Sequence, residues 1–398
     1  MSDSPPLPGR GILAGLLTCW VLTASPPATA GDGIRVALFN VQELDAAKID
    51  RLDADGHGAD PQLLNAARIV ARVRPDVLVL NEIDYSPERD LAQLFLERYL
   101  DPVIAAEGRE PLSFPHRVYL PVNTGVLSGL DLNRDGALDS PEDAWGFGRY
   151  PGQYGMAVVS RLPVLRERLR TFQGLRWVTL PGHLMPDGRD GRPEWYSAEA
   201  AAVLRLSSKS HWDVPLDVGG KVLHLLVSHP TPPVFDGDED RNGRRNHDEI
   251  RLWADYVSTA AGDPTTYLVD DQGRRGGLGD EPFVILGDQN ADPYRPGPLG
   301  PPSIRQLLEH PRIQDPGPRS EGISPRRSGA EPYPGEDRQR TSAYGRLDYV
   351  LPSRDLEVLS SGVFMPPEGH PDRDLVVGDQ GASDHRMVWL DLSRKGLQ

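Results

Sequence analysis

Five short apolar runs in this 398-residue chain end or begin in side chains that carry protons or bind cations. In FVILGDQNADP (283–293), Asp288 and Asn290 follow VILG. Asn40 and Gln42 follow VALF, Glu82 follows VLVLN, His229 follows LLVS, and Asp384 with His385 precedes MVWL. Carboxylates and amides offer oxygen to hard cations, carboxylates accept protons, and imidazoles exchange them near neutral pH. Any one such position reads equally well as a turn-forming Asn or Asp that caps a strand. The set of five does not, because in open α/β sheets reacting groups collect where strands end and the rigid sheet fixes the loops beyond them. Alternation places residues two apart on one side of an extended chain, so Asn40 with Gln42 and Asp288 with Asn290 are each expected to point together.

A second oxygen-rich stretch is DLNRDGALDSPE, residues 131–142. Asp131, Asn133 and Asp135 fall at positions 1, 3 and 5 of a twelve-residue calcium loop. Gly136 supplies the turn at 6, Ala137 a carbonyl at 7, Asp139 falls at 9 and Glu142 at 12. The alternative is an acidic turn on a solvated surface. Neither flank, NTGVLSG or WGFGRYPGQYG, has a helical pattern, so the expectation is a lone structural loop that binds Ca²⁺ at extracellular concentrations. Arg149 and Tyr154 lead from it into the GMAVVSR run, which would let calcium fix one wall of a cleft. Two further groups are candidates for substrate contact. Lys209, His211 and Trp212 in LSSKSHWDVP either line a pocket or are packed and satisfied; Arg244 and Arg245 precede a helix whose start favours anions.

These residues need elements to position them. IRVALFNVQEL (34–44) and PDVLVLNEID (75–84) read as strands, and between them Asp60 and Pro61 open a helix as N-cap and first residue. Strand, helix and strand of this length form a crossover unit. Further strands are expected at 155–164, 221–230, 283–288, 346–353 and 385–392, and a helix over NHDEIRLWADYVSTA. The stretches 294–303 and 315–340, rich in Pro, Gly, Arg and Ser, read as solvated loops. No linker or repeat divides the chain, which predicts one domain over 31–398 with long insertions.

Residues 1–30 read as a secretory signal: Arg10, the apolar run 11–24, then ATA before Gly31. That run is too short for a membrane span. Cys19, the one cysteine, lies inside it, so the mature chain would have no disulfide and no thiol chemistry. A lipid-attachment reading of LLTC is disfavoured by the threonine before Cys19. The formal charge of −15 argues against a duplex binder held mainly by phosphate contacts, although local arginine clusters remain available.

Taken in order, LFNVQ (38–42), LVLNEID (78–84), GQYGMAVVSRLPV (152–164), LLVSHP (225–230), VILGDQNADP (284–293), GRLDYVL (345–351) and SDHRMVW (383–389) resemble the motifs of the endonuclease/exonuclease/phosphatase superfamily. The resemblance covers roughly 34–394. It implies an α/β fold, a four-layer α/β/β/α sandwich of two packed mixed sheets flanked by helices, with a divalent metal in a cleft at the strand ends. It further implies that Glu82 holds Mg²⁺ or Mn²⁺, with Asn40, Gln42 and Asp384 completing the oxygen shell directly or through water. By the same analogy Asp288 positions or deprotonates the attacking water and Asn290 orients the phosphate. His229 and His385 donate to the phosphoryl oxygens, and Asp348 orients His385. Many family members carry an acidic residue where Gln42 stands, a departure that bears on metal affinity. The function expected is a secreted or periplasmic, monomeric, metal-dependent phosphodiesterase acting on nucleic acid or on a small or lipid phosphoester. The alternatives are a phosphomonoesterase and a catalytically silent calcium-binding protein. For a lipid surface the one apolar segment weighed, WYSAEAAAVL, is a poor membrane hairpin.

Overall fold

The computed structural model describes residue 1 and residues 33–186, 188, 191, 194–378 and 380–397. The expected signal segment, Met1 apart, and Cys19 lie outside the described residues. Among the described residues eleven strands form two sheets: β1 Gly33–Leu44, β2 Val77–Ile83, β3 His116–Val118, β4 Met156–Ser160, β5 Arg170–Thr171, β6 His211–Val218, β7 Lys221–Ser228, β8 Phe283–Asp288, β9 Asp348–Pro352, β10 Val358–Val363 and β11 Val388–Ser393. One sheet has the order β10-β11-β1-β2-β4-β3, the other β5-β6-β7-β8-β9. Each is mixed, with one parallel pair, β1 with β2 and β7 with β8, among antiparallel neighbours.

The near-continuous apolar strands have two dry faces to fill. Val36, Leu38, Val77 and Val79 point between the sheets and meet Val214, Leu216, Leu225, Val227, Val284 and Leu286. Their neighbours Ala37, Phe39, Leu78 and Leu80 face the other way, onto Leu63, Ala66 and Val70 of the helix Pro61–Val73 and onto the helical run beginning at Leu91. On the far side Leu226, Ile285, Tyr349 and Leu351 pack against Ile250, Trp253 and Tyr256 of the helix Arg241–Ser258. Four layers result, as expected. Each fully buried Val, Leu or Ile stabilises this arrangement by roughly 1.5–3 kcal/mol.

The crossover from β1 to β2 is built as the sequence indicates. The Asp60 side chain accepts from the Leu63 backbone N–H, and Pro61 occupies the first turn. Three expectations need correction. The helix expected over NHDEIRLWADYVSTA begins five residues earlier, at Arg241. LSSKSHWDVP contains the start of β6 and is not simply a pocket lining. The stretch 315–340 is not uniformly solvated: Ser320, Ser324 and Arg340 are buried, and the Arg340 guanidinium donates to the carbonyls of Ser324, Pro325, Ser342 and Ala343.

Candidate active site

Strand direction assembles the site. β1 and β2 run parallel, so Asn40 and Glu82 emerge at the same edge of the first sheet. β11 runs antiparallel to β1, which returns Asp384 and His385, just before it, to that edge. In the second sheet β7 and β8 run parallel and deliver His229 and Asp288 together. β9 is antiparallel to β8 with Asp348 in register opposite Asp288. Gly287 permits the close approach: a Cβ there would stand 2.0 Å from the Ser228 carbonyl oxygen. The sheets meet through Asn81, whose Oδ1 accepts the Asp288 backbone N–H at 2.9 Å.

At the centre is the buried Asp288 carboxylate. His229 Nε2 lies 3.6 Å from its Oδ2 and His385 Nε2 3.7 Å from the same oxygen. Both separations exceed a hydrogen bond, so three groups converge without satisfying one another. The Asn40 amide nitrogen donates to Asp288 Oδ2 and to Glu82 Oε1, both at 3.0 Å. His385 Nδ1 is 2.7 Å from Asp348 Oδ2, and Ser383 Oγ holds the His385 backbone N–H.

The two imidazoles are driven apart in basicity. Burial disfavours charge on both, and the cation of Lys209 deepens the effect at His229, which is held well below its ordinary value. At His385 the same burial is outweighed by Asp348 and Asp288, which hold the ring protonated well above 6.5. Burial also raises the Asp288 carboxyl, partly offset by His385. It raises Glu82 as well, against the hydrogen bond from Asn40. The two histidines that flank one carboxylate oxygen therefore differ in basicity, with His385 the more basic.

The expected pairing by alternation is corrected. Gln42 and Asn290 have φ of +49° and +51°, so neither follows its partner in an extended chain. Instead Asn40 Oδ1 accepts the Gln42 N–H at 3.0 Å, and Asp288 Oδ1 accepts the Asn290 N–H at 2.9 Å. Each first residue caps a turn that begins at the second. Glu82, at φ +61°, is another non-glycine residue held in this sparsely populated region, where such strain gathers at functional sites.

A divalent cation fits this cluster. Glu82, His229 and Asp288 each offer a ligand atom, all within 4.8 Å of one another, as do Asp288, Asp348 and His385. Burial raises the half-buried Glu82 carboxyl despite the Asn40 hydrogen bond and the nearby His385 and Lys209 charges, so a cation there would favour its charged form. The exposed Asp384 stands close enough to raise the carboxyl further. Asn40 and Gln42 are placed at the site, but their side-chain oxygens already accept backbone N–H groups, of Gln42 and Asp384 respectively.

The outer candidates divide. Arg149 is exposed, and Tyr154, at φ +57°, donates to Glu43 at 3.0 Å on the rim. Lys209 is buried within the site's field. His211 is packed and satisfied, between Ser207 Oγ and the Glu249 carbonyl, and Trp212 is buried in the inter-sheet core. Arg245 is corrected: it lies inside the helix and not before it, and donates to the carbonyls of Leu206, Trp145 and Arg205. Arg244 is buried likewise, against the Leu184 carbonyl. Sequence reading missed Asn81, Ser383, Asn246 and Glu249. Asn246 Nδ2 donates to the Thr231 and Gln289 carbonyls; Glu249 accepts from Ser208 and Thr231 backbone N–H groups.

In the loop 131–142, Asp131 accepts from the N–H groups of Asp135 and Gly136, and Asn133 also accepts from Asp135. Ala137 N–H donates to Asp135, while Asp139 and Glu142 are exposed. The stretch is therefore curled about its first carboxylate, with Gly136 at φ +86°.

A model of the Endonuclease/Exonuclease/phosphatase family matches residues 37–385. No curated protein matches the chain. Among solved structures it is similar to an endonuclease/exonuclease/phosphatase from Beutenbergia cavernae, at 20% identity over 91% of this chain and 72% of that one, TM-score 0.47. It is similar to a family protein from Leptotrichia buccalis at 13% identity, covering 90% and 99%, TM-score 0.46. Sphingomyelinase C from Streptomyces griseocarneus gives 13% identity, 90% and 99%, TM-score 0.44. With the family match running from β1 through His385, and the acid and histidine cluster lying within it, the chain belongs to the endonuclease/exonuclease/phosphatase family of metal-dependent phosphoester hydrolases.

Proposed function

We propose that this protein is a secreted phosphodiesterase whose loop 131–142 binds calcium. The observation that carries the phosphodiesterase reading is the convergence of His229 and His385 on Asp288 Oδ2 at distances too long to bond. The phosphoryl oxygens and the attacking water would enter the gap where these three groups converge. Asp288 takes a proton from the water as its oxygen bonds to phosphorus. The opposite P–O ester bond breaks, and the departing alkoxide takes a proton from solvent or from His385 Nε2. The His385 imidazolium, held by Asp348, and the His229 N–H stabilise the charge that builds on the phosphoryl oxygens. Asn290, whose amide is tied to the Pro230 carbonyl, borders the gap. Glu82, with Asp288 and Asp384 near it, would hold Mg²⁺ or Mn²⁺, which neutralises phosphoryl charge and acidifies water when bound.

The test uses a chromogenic phosphodiester, the matching monoester and supercoiled plasmid, each in Mg²⁺ and Mn²⁺, with His385→Ala alongside. Diester turnover lost in the variant is expected. Turnover of the monoester alone moves the assignment to a phosphatase, and no turnover of any substrate by folded, metal-loaded protein overturns the enzymatic reading. Plasmid nicking would place nucleic acid among the substrates; turnover of the small diester alone would point to small or lipid phosphoesters. In the same assay Glu82→Gln is expected to raise the metal concentration needed for half-maximal rate by about tenfold or more. An unchanged titration would remove Glu82 from the metal site.

A further inference from the structure

His229 Nε2 and Asp288 Oδ2 stand 3.6 Å apart, although an imidazole and a carboxylate gain by closing to hydrogen-bond distance. Holding them open needs a restraint on the backbones that carry them. The sheet alone does not supply it: the ladder between β7 and β8 ends at Val227 with Leu286, and His229 and Asp288 each lie two residues past that last rung. The segments beyond are gripped instead by the helix Arg241–Ser258. Asn246 in that helix is 1% exposed, and its Nδ2 donates to the Thr231 carbonyl and to the Gln289 carbonyl, each at 2.9 Å. Thr231 lies two residues after His229, and Gln289 directly follows Asp288. One amide group therefore uses both of its N–H donors on the two reactive segments, and the two facing carbonyls fix which end of the amide points at them. Three residues on, and so on the same helix face, Glu249 accepts the Thr231 N–H at 2.6 Å. Residue 231 is thus held through both of its backbone polar groups. Gln289 is held likewise, because its N–H donates to the Leu347 carbonyl at 2.8 Å, next to Asp348.

We propose that Asn246 is a positioning residue that sets the separation of His229 and Asp288 and thereby the rate of the chemical step. The inference rests on the phosphoesterase reading and adds to it a brace outside the cleft, one that acts through the Thr231 and Gln289 carbonyls and not on the phosphoryl group. Alanine at this position removes both donors. Aspartate keeps the shape but presents an acceptor to both carbonyls, and serine keeps one donor.

The test measures kcat and KM with the chromogenic diester for metal-loaded wild type, Asn246→Ala, Asn246→Asp and Asn246→Ser, each corrected for its folded fraction by urea unfolding. Leu252→Ala, a buried change in the same helix, controls for lost stability alone. In Asn246→Ala and Asn246→Asp kcat should fall about ten- to a hundredfold while KM stays within about twofold of wild type. Asn246→Ser should lie between these and wild type, and Leu252→Ala should keep its kcat in the folded protein. A second readout needs no substrate: the ring signals of isotope-labelled histidine, with His229 assigned by His229→Gln. The His229 signals should shift in Asn246→Ala while those of His224, earlier in β7, stay in place. Wild-type kcat in Asn246→Ala, an equal fall in Leu252→Ala, a rise in KM at unchanged kcat, or unmoved His229 signals overturns the proposal. So does failure of all three Asn246 variants to fold, which would make the residue structural. Wild-type protein that hydrolyses nothing would remove the phosphoesterase reading, and the ring signals would still decide whether Asn246 places His229.

Discussion

His229 and His385 are chemically the same side chain, approach the same carboxylate oxygen, and differ in basicity because burial and Lys209 depress the first while Asp348 and Asp288 outweigh burial at the second. Asp348→Asn should therefore act through His385. The ring loses its partner, kcat falls about 10²- to 10⁴-fold, and the alkaline limb of the rate profile moves to lower pH. A profile that keeps its shape would show that Asp348 only braces the strand. The residue types at strand ends were legible in the sequence because apolar runs that stop at acids, amides and histidines are conspicuous. Asn81 and Glu249 were not. Asn81 lies one residue before a better candidate, and Glu249 sits in an ordinary amphipathic helix; only the tertiary fold turns each toward a backbone amide across the core.

Among elements, β6 shows why part of the fold was hidden. Its sequence HWDVPLDV carries two aspartates and a proline, which argue against a central strand. The structure accommodates each. β5 pairs with Trp212 and Asp213, and beyond them the Pro215 carbonyl accepts the Leu165 N–H at 2.9 Å, a bond that needs no donor from the proline. Asp213 accepts from Tyr256 OH and bonds His224 Nδ1, both at 2.6 Å. His224 also reaches Glu281 at 2.8 Å. Burial opposes its charge, but the two acids prevail and raise its basicity. A raised folded value means the stabilisation is complete below the unfolded imidazole value, about 6.5, and is lost as pH rises through the folded one. His224→Gln should accordingly lower the thermal midpoint most in mildly acidic buffer, with the gap to wild type closing in alkali. A constant gap would mean His224 is neutral. For the loop 131–142, Glu142→Gln should lower the midpoint in calcium but not in EDTA; equal shifts in both would count against a bound ion. By contrast the helix at Pro61 was fully legible, because its cap is local and needs nothing from the rest of the chain.

At the scale of the whole molecule, the first sheet supplies Asn40, Glu82 and His385 and the second supplies His229, Asp288 and Asp348. Activity should thus depend on the seam between them more than on the outer layers. Leu225→Ala in the seam and Ile69→Ala under the helical layer should each cost about 2–5 kcal/mol in urea unfolding. Only the first should lower kcat in the remaining folded protein, and equal effects on kcat would show that the seam has no special role. The layered architecture was legible from the alternation of strand and helix and from the order of motifs, whereas the closeness of two imidazoles to one oxygen was not, since residues 229, 288 and 385 come near only after both sheets close. Because β11 pairs with β1, the strand at the start of the described fold, and His385 precedes β11, the reactive centre joins residues more than three hundred positions apart and needs β11 in place before it can form. A chain shortened before β11 loses the strand that holds His385 beside β1, and such a chain should hydrolyse no phosphoester.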